Sequence, residues 1–448
     1  MKTKEIFKYI LIFLFSFFSM SFFFSFIDGD VLWNYGFSYA ISRGEVPYLD
    51  FNMIITPIYP MINSLFLKMF STNILVFYIV NSLLITGMFY LLFKMFNYKS
   101  WILLIFLFFP LPAVVFPTYN LFLIFLVILL IYLEKINCND YLIGLILGIG
   151  ILTKQTVGVF LCFASFYYLF KDYKKVLKRV VGCFIPCLLF LIYLIRFDAI
   201  NQFFDLCLFG MFDFVGENGK VFNIFFFLIL IMVGFIFYKI KKAPHNISNY
   251  YVLLFSSITL PLFDINHFEY FLFVFLILFL DNINVRKKEL AFCSILFSIF
   301  YIGIFFTYSV GFNVVYPNHY NNFSFRLLYN GNGEFSIRDR LNRYINDNID
   351  KDIVLLGSEA YFYKITNNMD ITYFDLLNRG NHGYNGTKKM ISRIKKMDKD
   401  TLFIISYDEY QKKDKFNRQQ IDKDIMKFVI DNGKLVDEID CFRVYQLK

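Results

Sequence analysis

The sequence is poor in charged residues, which excludes an ordinary soluble protein. Charged side chains make up 18% of the 448 residues, whereas an average soluble domain has about 25%. Hydrophobic residues reach 58%, and phenylalanine alone occurs 63 times. A soluble fold cannot cover that much apolar side chain, but a lipid bilayer accepts it. The composition therefore predicts an integral membrane protein.

Paired cysteines and metal-ligand spacings are also absent. The seven cysteines are scattered without a CxxC pair, mostly in apolar runs, where cysteine behaves as a small hydrophobic residue. His267 has no second histidine at ligand spacing. The β-prone segment that ends at Gly357-Ser358 has neither a GxGxxG nor a P-loop pattern. These absences argue against a disulfide framework, a metal site and a nucleotide site.

Apolar runs fill the first 306 residues. Several are shorter than the roughly 20 residues of a membrane-spanning helix. The stretches 101–133 and 141–170 are each either a hairpin of two helices or one over-long helix. Proline residues near the middle of the first and polar residues near the middle of the second favour hairpins. Two hairpins give a total of eleven helices, and two single helices give nine. No small-residue cleavage site follows the first run, so we expect an uncleaved helix. The runs are Tyr9–Ile27, Ile74–Phe93, Trp101–Phe116, Leu121–Leu133, Tyr141–Leu152, Val157–Phe170, Val180–Ile195, Val221–Tyr238, Tyr250–Phe263, Phe268–Leu280 and Leu290–Phe306.

The positive charge orients these helices and gives no sign of nucleic-acid binding. With a cytoplasmic N-terminus, the inside loops hold 17 Lys and Arg residues and the outside loops hold 5. Such an excess is typical of cytoplasmic loops in a multi-pass cell-membrane protein. An odd helix count then places everything after Phe306 outside. The five outside residues are Arg43, Lys68, Lys154, Arg196 and Lys220.

The C-terminal part changes in character and predicts a second domain. Residues 1–308 form the predicted transmembrane domain, with a first outside loop at 28–70, and residues 309–448 form an extracytoplasmic α/β domain. Short β-prone runs alternate there with helical segments. The predicted strands are Ile353–Leu356, Leu402–Ile405 and Phe442–Leu447, and the predicted helices are Arg338–Asn348, Lys388–Lys396 and Asp422–Ile430.

The first outside loop concentrates acidic and aromatic residues. Asp28 and Asp30 follow directly on the first helix, and Glu45 and Asp50 follow within the same loop. Aspartate is a good helix N-cap, so one interpretation is that the first two acids only end one helix and begin the next. Their density beside aromatic residues, without an outside excess of Lys and Arg, favours a site.

The same loop resembles a known family. The run from Asp30 through Gly44-x-x-Pro-Tyr48-x-Asp50-Phe51 to Pro57-x-Tyr59 resembles the first outer loop of GT-C membrane glycosyltransferases, in particular the bacterial dolichyl-phosphate-mannose-protein mannosyltransferase-like branch. The segment Gly150–Gly158 also resembles that branch. The predicted topology agrees over about the first 310 residues. The resemblance implies transfer of a sugar from a polyprenyl-phosphate donor to a cell-envelope glycan, lipid or protein.

The resemblance also implies roles for individual residues. An Asp after the first helix acts as general base in that family, which favours Asp30, with Asp28 as its neighbour or runner-up. No cofactor is indicated with certainty. The family often has an Asp-Glu pair where this chain has Asp-Val, so the question of a divalent metal ion stays open, although no ligand spacing supports one. Glu45, Tyr48 and Asp50 in the loop are candidate substrate-binding residues.

Three further segments are candidates. Lys154 is an isolated charge in an apolar stretch, so it is either a phosphate partner, together with Gln155, or a snorkelling lysine at a hairpin tip. His267 and Glu269 lie in the acidic segment Asp264–Tyr270, which is a substrate-facing loop or a polar turn. The glycine-rich segment Asn378–Gly386 either lines the acceptor cleft or is a surface loop.

Two other function classes stay open beside a glycosyltransferase. A lipid-linked saccharide transporter or flippase is typically marked by internal repeats and by charges along several helices. Neither feature is found here. A non-catalytic envelope assembly protein would use its outer domain to bind partners.

Overall fold

A computed structural model describes residues 3–23, 29–96, 117–218, 223–280, 337–411 and 421–448. The apolar runs Trp101–Phe116 and Leu290–Phe306, residue Asp28 and the boundary predicted at residue 308 lie outside these ranges. The helices of the N-terminal part are α1 (Thr3–Phe23), α2 (Gly29–Arg43), α3 (Ile58–Met69), α4 (Ile74–Met95), α5 (Tyr119–Lys135), α6 (Asp140–Ile151), α7 (Gln155–Cys162), α8 (Tyr173–Arg196), α9 (Ile200–Phe203), α10 (Gly210–Asn218), α11 (Ile224–Lys242), α12 (Ile247–Phe255) and α13 (Ile265–Leu280).

Three of the described helices, α4, α8 and α11, are long and apolar enough to cross a membrane. Shorter apolar helices lie at Ile6–Phe18, Asp140–Ile151, Gln155–Tyr168 and Ile265–Leu278. The predicted break in the stretch 141–170 is confirmed, because α6 ends at Ile151 and α7 begins at Gln155. The count of eleven spans stays a prediction.

Asparagine side chains begin several of these helices. Oδ1 of Asn73 accepts a hydrogen bond from the Leu75 amide at 2.9 Å, and Oδ1 of Asn139 accepts one from the Tyr141 amide at 3.0 Å. Asn223 caps α11 in the same way. Each cap satisfies a backbone N–H that has no partner inside the helix, which fixes where the helix starts.

Helices α6 and α8 pack closely through glycines. A Cβ added at Gly144 would lie 2.1 Å from the backbone oxygen of Arg179, and one at Gly148 would lie 2.5 Å from that of Cys183. Spacing of small residues by four lets two helix backbones approach each other. The buried Arg179 guanidinium then reaches the Glu134 carboxylate at 2.6 Å and the Asp140 carboxylate at 2.9 Å. This network joins α5, α6 and α8.

The C-terminal part forms a four-stranded mixed sheet. Its elements are α14 (Ile337–Asp347), β1 (Ile353–Leu356), α15 (Ala360–Thr366), α16 (Gly386–Ile394), β2 (Leu402–Ser406), α17 (Tyr407–Gln411), α18 (Lys423–Asn432), β3 (Gly433–Ile439) and β4 (Phe442–Leu447). The strand order is β1-β2-β4-β3, with β1 and β2 parallel and the other two pairs antiparallel. In register, Ile353 pairs with Leu402, and Ile404 pairs with Val444. The three predicted strands are confirmed; β3 was not predicted.

The sheet and the first outside loop share one hydrophobic core. Phe37 and Phe51 from the loop region pack with Tyr361 from α15 and with the buried strands. A second core holds the apolar helices together around α4 and α5. The two halves of the chain therefore meet along a buried surface, and the candidate residues lie near that junction.

Candidate active site

Asp30 lies in the first turn of α2. The helix is anchored one turn later by Asn34, whose Nδ2 donates to the Asp30 carbonyl oxygen at 2.7 Å. Oδ1 of Asn34 accepts a hydrogen bond from the Tyr119 amide at 3.2 Å, so the same side chain ties α2 to the start of α5. Asn34 is buried. This bond pair fixes the position of the Asp30 backbone relative to Tyr119.

Lys154 lies in the turn between α6 and α7, directly before α7. The turn is held against the first outside loop, because Thr56 Oγ1 donates to the Ile151 carbonyl at 2.8 Å and the Ile58 amide donates to the Leu152 carbonyl at 2.9 Å. The Lys154 ammonium lies 5.5 Å from the centre of the Tyr119 ring, within the range of a cation–π contact.

Two acids from other parts of the chain act on the charge of Lys154. Asp264 and Asp30 both interact electrostatically with its ammonium group, and both also act on Tyr119. Their opposite charge favours the ionised form of this half-buried ammonium group, while burial opposes it. The arrangement brings residues 30, 154 and 264 together although they are far apart in the sequence.

Gln155 connects three segments around the same place. Its Nε2 donates to the carbonyl oxygens of Ile54 and Cys207, both at 3.0 Å. These bonds fix the orientation of the amide, so Oε1 is the acceptor. Among the described residues no hydrogen-bond partner reaches that buried oxygen.

His267 is buried in the first turn of α13 and paired with Asp264. The Asp264 carboxylate lies 2.8 Å from Nδ1 of His267 and also accepts from the His267 amide at 2.9 Å. An ionised Asp264 requires the proton on Nδ1, which fixes the tautomer of a neutral ring and leaves Nε2 as an acceptor.

A cavity of about 230 Å³ lies among these residues. Of the predicted site residues, Asp30, Lys154, Gln155 and His267 line it. Met211, Phe214 and Val215 of α10 and Leu260 with Leu262 contribute an apolar wall. The cavity thus combines an acid, a cation and an imidazole with a surface suited to a hydrocarbon chain.

The other predicted site residues lie outside the cavity lining. Oε1 of Glu45 accepts from the Ile371 amide at 3.2 Å, and Asp50 accepts from the Val46 amide at 2.6 Å. The Tyr48 hydroxyl donates to the Ile55 carbonyl at 3.0 Å. These three hold the loop together or attach it to the C-terminal part. Glu269 is half-buried on α13.

Burial raises the pKa of the Glu45 carboxyl to about 7, although the hydrogen bond from Ile371 opposes this shift. The nearby carboxylates of Asp370 and Asp50 act in the same direction as burial. Glu45 is therefore a titratable group at the contact between the first loop and the C-terminal part.

Sequence reasoning assigned no role to several lining residues. Tyr119 and Ser257 lie in short polar interruptions of apolar stretches, which are a weak signal. Asn381 and Leu376 come from the C-terminal part. Asn381 belongs to the glycine-rich segment Asn378–Gly386, for which the sequence left a cleft lining and a surface loop as alternatives. Within the described ranges, no cluster of three or more His, Cys, Asp or Glu side chains is arranged to hold a metal ion.

Comparison with known proteins shows the fold. The family model "Glycosyltransferase family 87" matches residues 57–253, which include Lys154 and Gln155. The crystal structure of ArnT from Cupriavidus metallidurans bound to undecaprenyl phosphate aligns over 99% of this chain and 98% of that chain, with a TM-score of 0.59 and 11% identity. None of the curated proteins matches the sequence. The chain is thus a polytopic helical membrane protein with the fold of GT-C membrane glycosyltransferases, the class that its first loop resembles.

Proposed function

We propose that the protein transfers a sugar from a polyprenyl-phosphate donor to a cell-envelope acceptor on the outer face of the membrane. The observation that carries the proposal is that Asp30 and Lys154 line one cavity, 124 positions apart in the chain. A base and a phosphate-binding cation are the two groups that this reaction needs from a protein.

Asp30 is the proposed general base. Its carboxylate takes the proton from the acceptor hydroxyl while the hydroxyl oxygen attacks the anomeric carbon of the donor sugar. The bond between that carbon and the phosphate oxygen breaks, and the polyprenyl phosphate leaves with the bonding electrons. Asp30 ends the step protonated and returns its proton to water. A cation at the same cavity favours the ionised carboxylate that a base needs.

Lys154 is the proposed phosphate partner, and α10 the proposed lipid contact. The Lys154 ammonium would stabilise the negative charge that develops on the leaving phosphate. The apolar side chains of Met211, Phe214 and Val215 border the same cavity, where the first part of the lipid chain would lie. The related fold of ArnT has been crystallised with undecaprenyl phosphate, which supports a donor of this chemistry.

His267 and Gln155 are the proposed sugar-binding residues at the cavity. Asp264 pairs with Nδ1 of His267, so Nε2 of the neutral ring can accept a hydrogen bond from a sugar hydroxyl group. Glu45, Tyr48, Asp50 and Glu269 remain proposed substrate contacts from the sequence alone.

An in vitro transfer assay tests the proposal. Purified protein in detergent is incubated with a panel of polyprenyl-phosphate sugars and a cell-envelope extract as acceptor, and radiolabelled sugar in the product is measured. We expect turnover with at least one donor and release of polyprenyl phosphate. Movement of an intact lipid-linked saccharide across proteoliposomes, without any transfer product, would instead indicate a flippase.

A further inference from the structure

The glycine-rich loop of the C-terminal part reaches the cavity. Asn381 lies at the centre of the segment Asn378–Gly386, has only 2% of its surface exposed, and lines the cavity together with Leu376. Asn52 of the first outside loop donates through Nδ2 to the carbonyl oxygens of both residues, at 3.2 Å to Leu376 and 3.3 Å to Asn381. The two cavity residues are therefore positioned from the first loop.

Glycines allow this loop to approach the α10 segment. Gly383 has a φ of +82°, a conformation that disfavours other residues, and a Cβ there would lie 2.9 Å from Oδ2 of Asp205. A Cβ at Gly210 would lie 2.8 Å from Cα of Gly383. The Asn385 amide also donates to Oδ2 of Asp213 at 2.6 Å. The loop thus packs against the segment that supplies the apolar wall.

Three buried polar atoms on cavity-lining side chains have no hydrogen-bond partner among the described residues. They are Oδ1 of Asn381, Oε1 of Gln155 and Oγ of Ser257. A buried polar atom without a partner is destabilising, so such atoms are uncommon unless a ligand pairs with them. Two of the three are amide oxygens, which accept hydrogen bonds and repel anionic groups. Their natural partners are hydroxyl groups.

We propose that Asn381 determines sugar specificity by binding a hydroxyl group of the transferred sugar, with Gln155 and Ser257 completing a hydroxyl-binding set. This inference rests on the proposed function. The transferred sugar lies between the phosphate at Lys154 and the base at Asp30, and both of these residues border the cavity that Asn381 lines. The amide acceptors favour a neutral sugar with free hydroxyl groups over one that carries a carboxylate at this place.

The test combines Asn381→Ala with donors that lack single hydroxyl groups. The donor with the highest turnover in the panel, and its monodeoxy analogues, are compared on the wild-type protein and the variant. We expect Asn381→Ala to raise KM for the parent donor about five- to tenfold with little change in kcat, the effect of one neutral hydrogen bond. One monodeoxy donor should be used equally well by both proteins, because it lacks the hydroxyl group that binds Asn381 and so cannot form that hydrogen bond with either.

Tyr384→Ala is the control, since Tyr384 lies on the same loop, is about half exposed and does not line the cavity. Asn381→Ser is a second variant in case the alanine variant does not fold. We expect it to show the same loss with the parent donor and the same equality with one monodeoxy donor. An equal loss of kcat/KM with every donor would make Asn381 structural and overturn the inference, as would kinetics that match Tyr384→Ala. A wild-type protein that transfers no sugar would overturn the proposed function, and this inference with it.

Discussion

At the scale of single residues, charges from three separate segments lie at the cavity or directly behind its lining. Asp30, Lys154 and Asp264 interact electrostatically, while His267 is fixed by Asp264 at 2.8 Å. The opposite charges offset part of the cost of their partly buried setting. A snorkelling lysine at a hairpin tip would instead extend its ammonium toward water.

Lys154→Ala tests the role of that cation. We expect KM for the lipid-phosphate donor to rise about 10- to 100-fold, since hydrogen bonds to charged groups are worth about 1.5–3 kcal/mol. Donor titrations and thermal unfolding in detergent separate binding from folding. Lys68→Ala is the matched control, because Lys68 is another predicted outside lysine and is exposed on α3. Wild-type donor affinity in Lys154→Ala would mean that Lys154 only ends a hairpin.

Glu45 makes the contact between the first loop and the C-terminal part sensitive to pH. Its pKa is raised from 4.5 to about 7, so between these values the folded protein binds the proton more tightly than the unfolded chain. The free energy of unfolding therefore falls as pH rises through this range. The full difference corresponds to about 3 kcal/mol, and partial exposure reduces the expected effect to about 1–2 kcal/mol.

Glu45→Gln removes this dependence. We expect the variant to unfold at a higher temperature than the wild type at pH 8 and at a similar temperature at pH 4, where Glu45 is protonated. Thermal unfolding across this pH range measures it. Asp347→Asn, at an exposed carboxylate on α14, serves as control. A variant that is less stable than the wild type at pH 8 would contradict the conclusion that the ionised Glu45 carboxylate destabilises the folded protein there.

The predicted site residues that lie together in the structure are those whose side chain breaks a sequence pattern. Asp30, Lys154 and His267 interrupt or border apolar runs, and all three line the cavity. Asn381 had no such signal, since it is one polar residue in a polar loop and its position depends on long-range packing against Asn52. Glu45 resembled a site residue in sequence, but its observed partner is the Ile371 amide, a contact that no local pattern predicts.

At the scale of elements, helix packing through small residues holds the site's scaffold. The Gly144-x-x-x-Gly148 face of α6 lies directly on α8, and α6 leads into the turn that carries Lys154. Separation of the two helices would also weaken the ion pairs of Arg179 with Glu134 and Asp140.

Gly144→Ala tests this contact. The added Cβ meets the Arg179 backbone oxygen at 2.1 Å, so the helices must move apart, and we expect a loss of about 1–3 kcal/mol of stability. Thermal unfolding in detergent gives the difference. Gly234→Ala on α11 is a matched control, because a Cβ there meets nothing within 4 Å, and it should be neutral or slightly stabilising. Equal effects of the two substitutions would contradict close packing of α6 on α8.

Element types were predictable where periodicity was strong. The strands at Ile353–Leu356, Leu402–Ser406 and Phe442–Leu447 match continuous or alternating apolar runs. Strand β3 was missed because it is a largely exposed edge strand with the charged residues Lys434, Asp437 and Glu438, so it has no apolar face to detect. It forms because it pairs antiparallel with β4, which is a tertiary effect.

At the scale of the whole molecule, orientation in the membrane decides whether the cavity faces the outer side. The 17 to 5 distribution of Lys and Arg predicts that the segment Lys171–Arg179 is cytoplasmic and that the chain after Asn313 is outside. The sequence suggested a loop for this segment, but the structure begins α8 at Tyr173 within it. Reporter fusions at these two positions measure the orientation of each. Both reporters on the same side of the membrane would contradict an odd helix count and the proposed topology.

The most direct test of the central claim is sugar transfer by Asp30→Asn, with Asp28→Asn as control. An amide is nearly isosteric with a carboxylate but cannot take the acceptor's proton, so we expect wild-type stability with transfer reduced about 10²- to 10⁴-fold. A smaller effect is expected for Asp28→Asn. Full activity of Asp30→Asn with loss in Asp28→Asn would assign the base to Asp28, and normal transfer by both variants would contradict an aspartate base at this cavity.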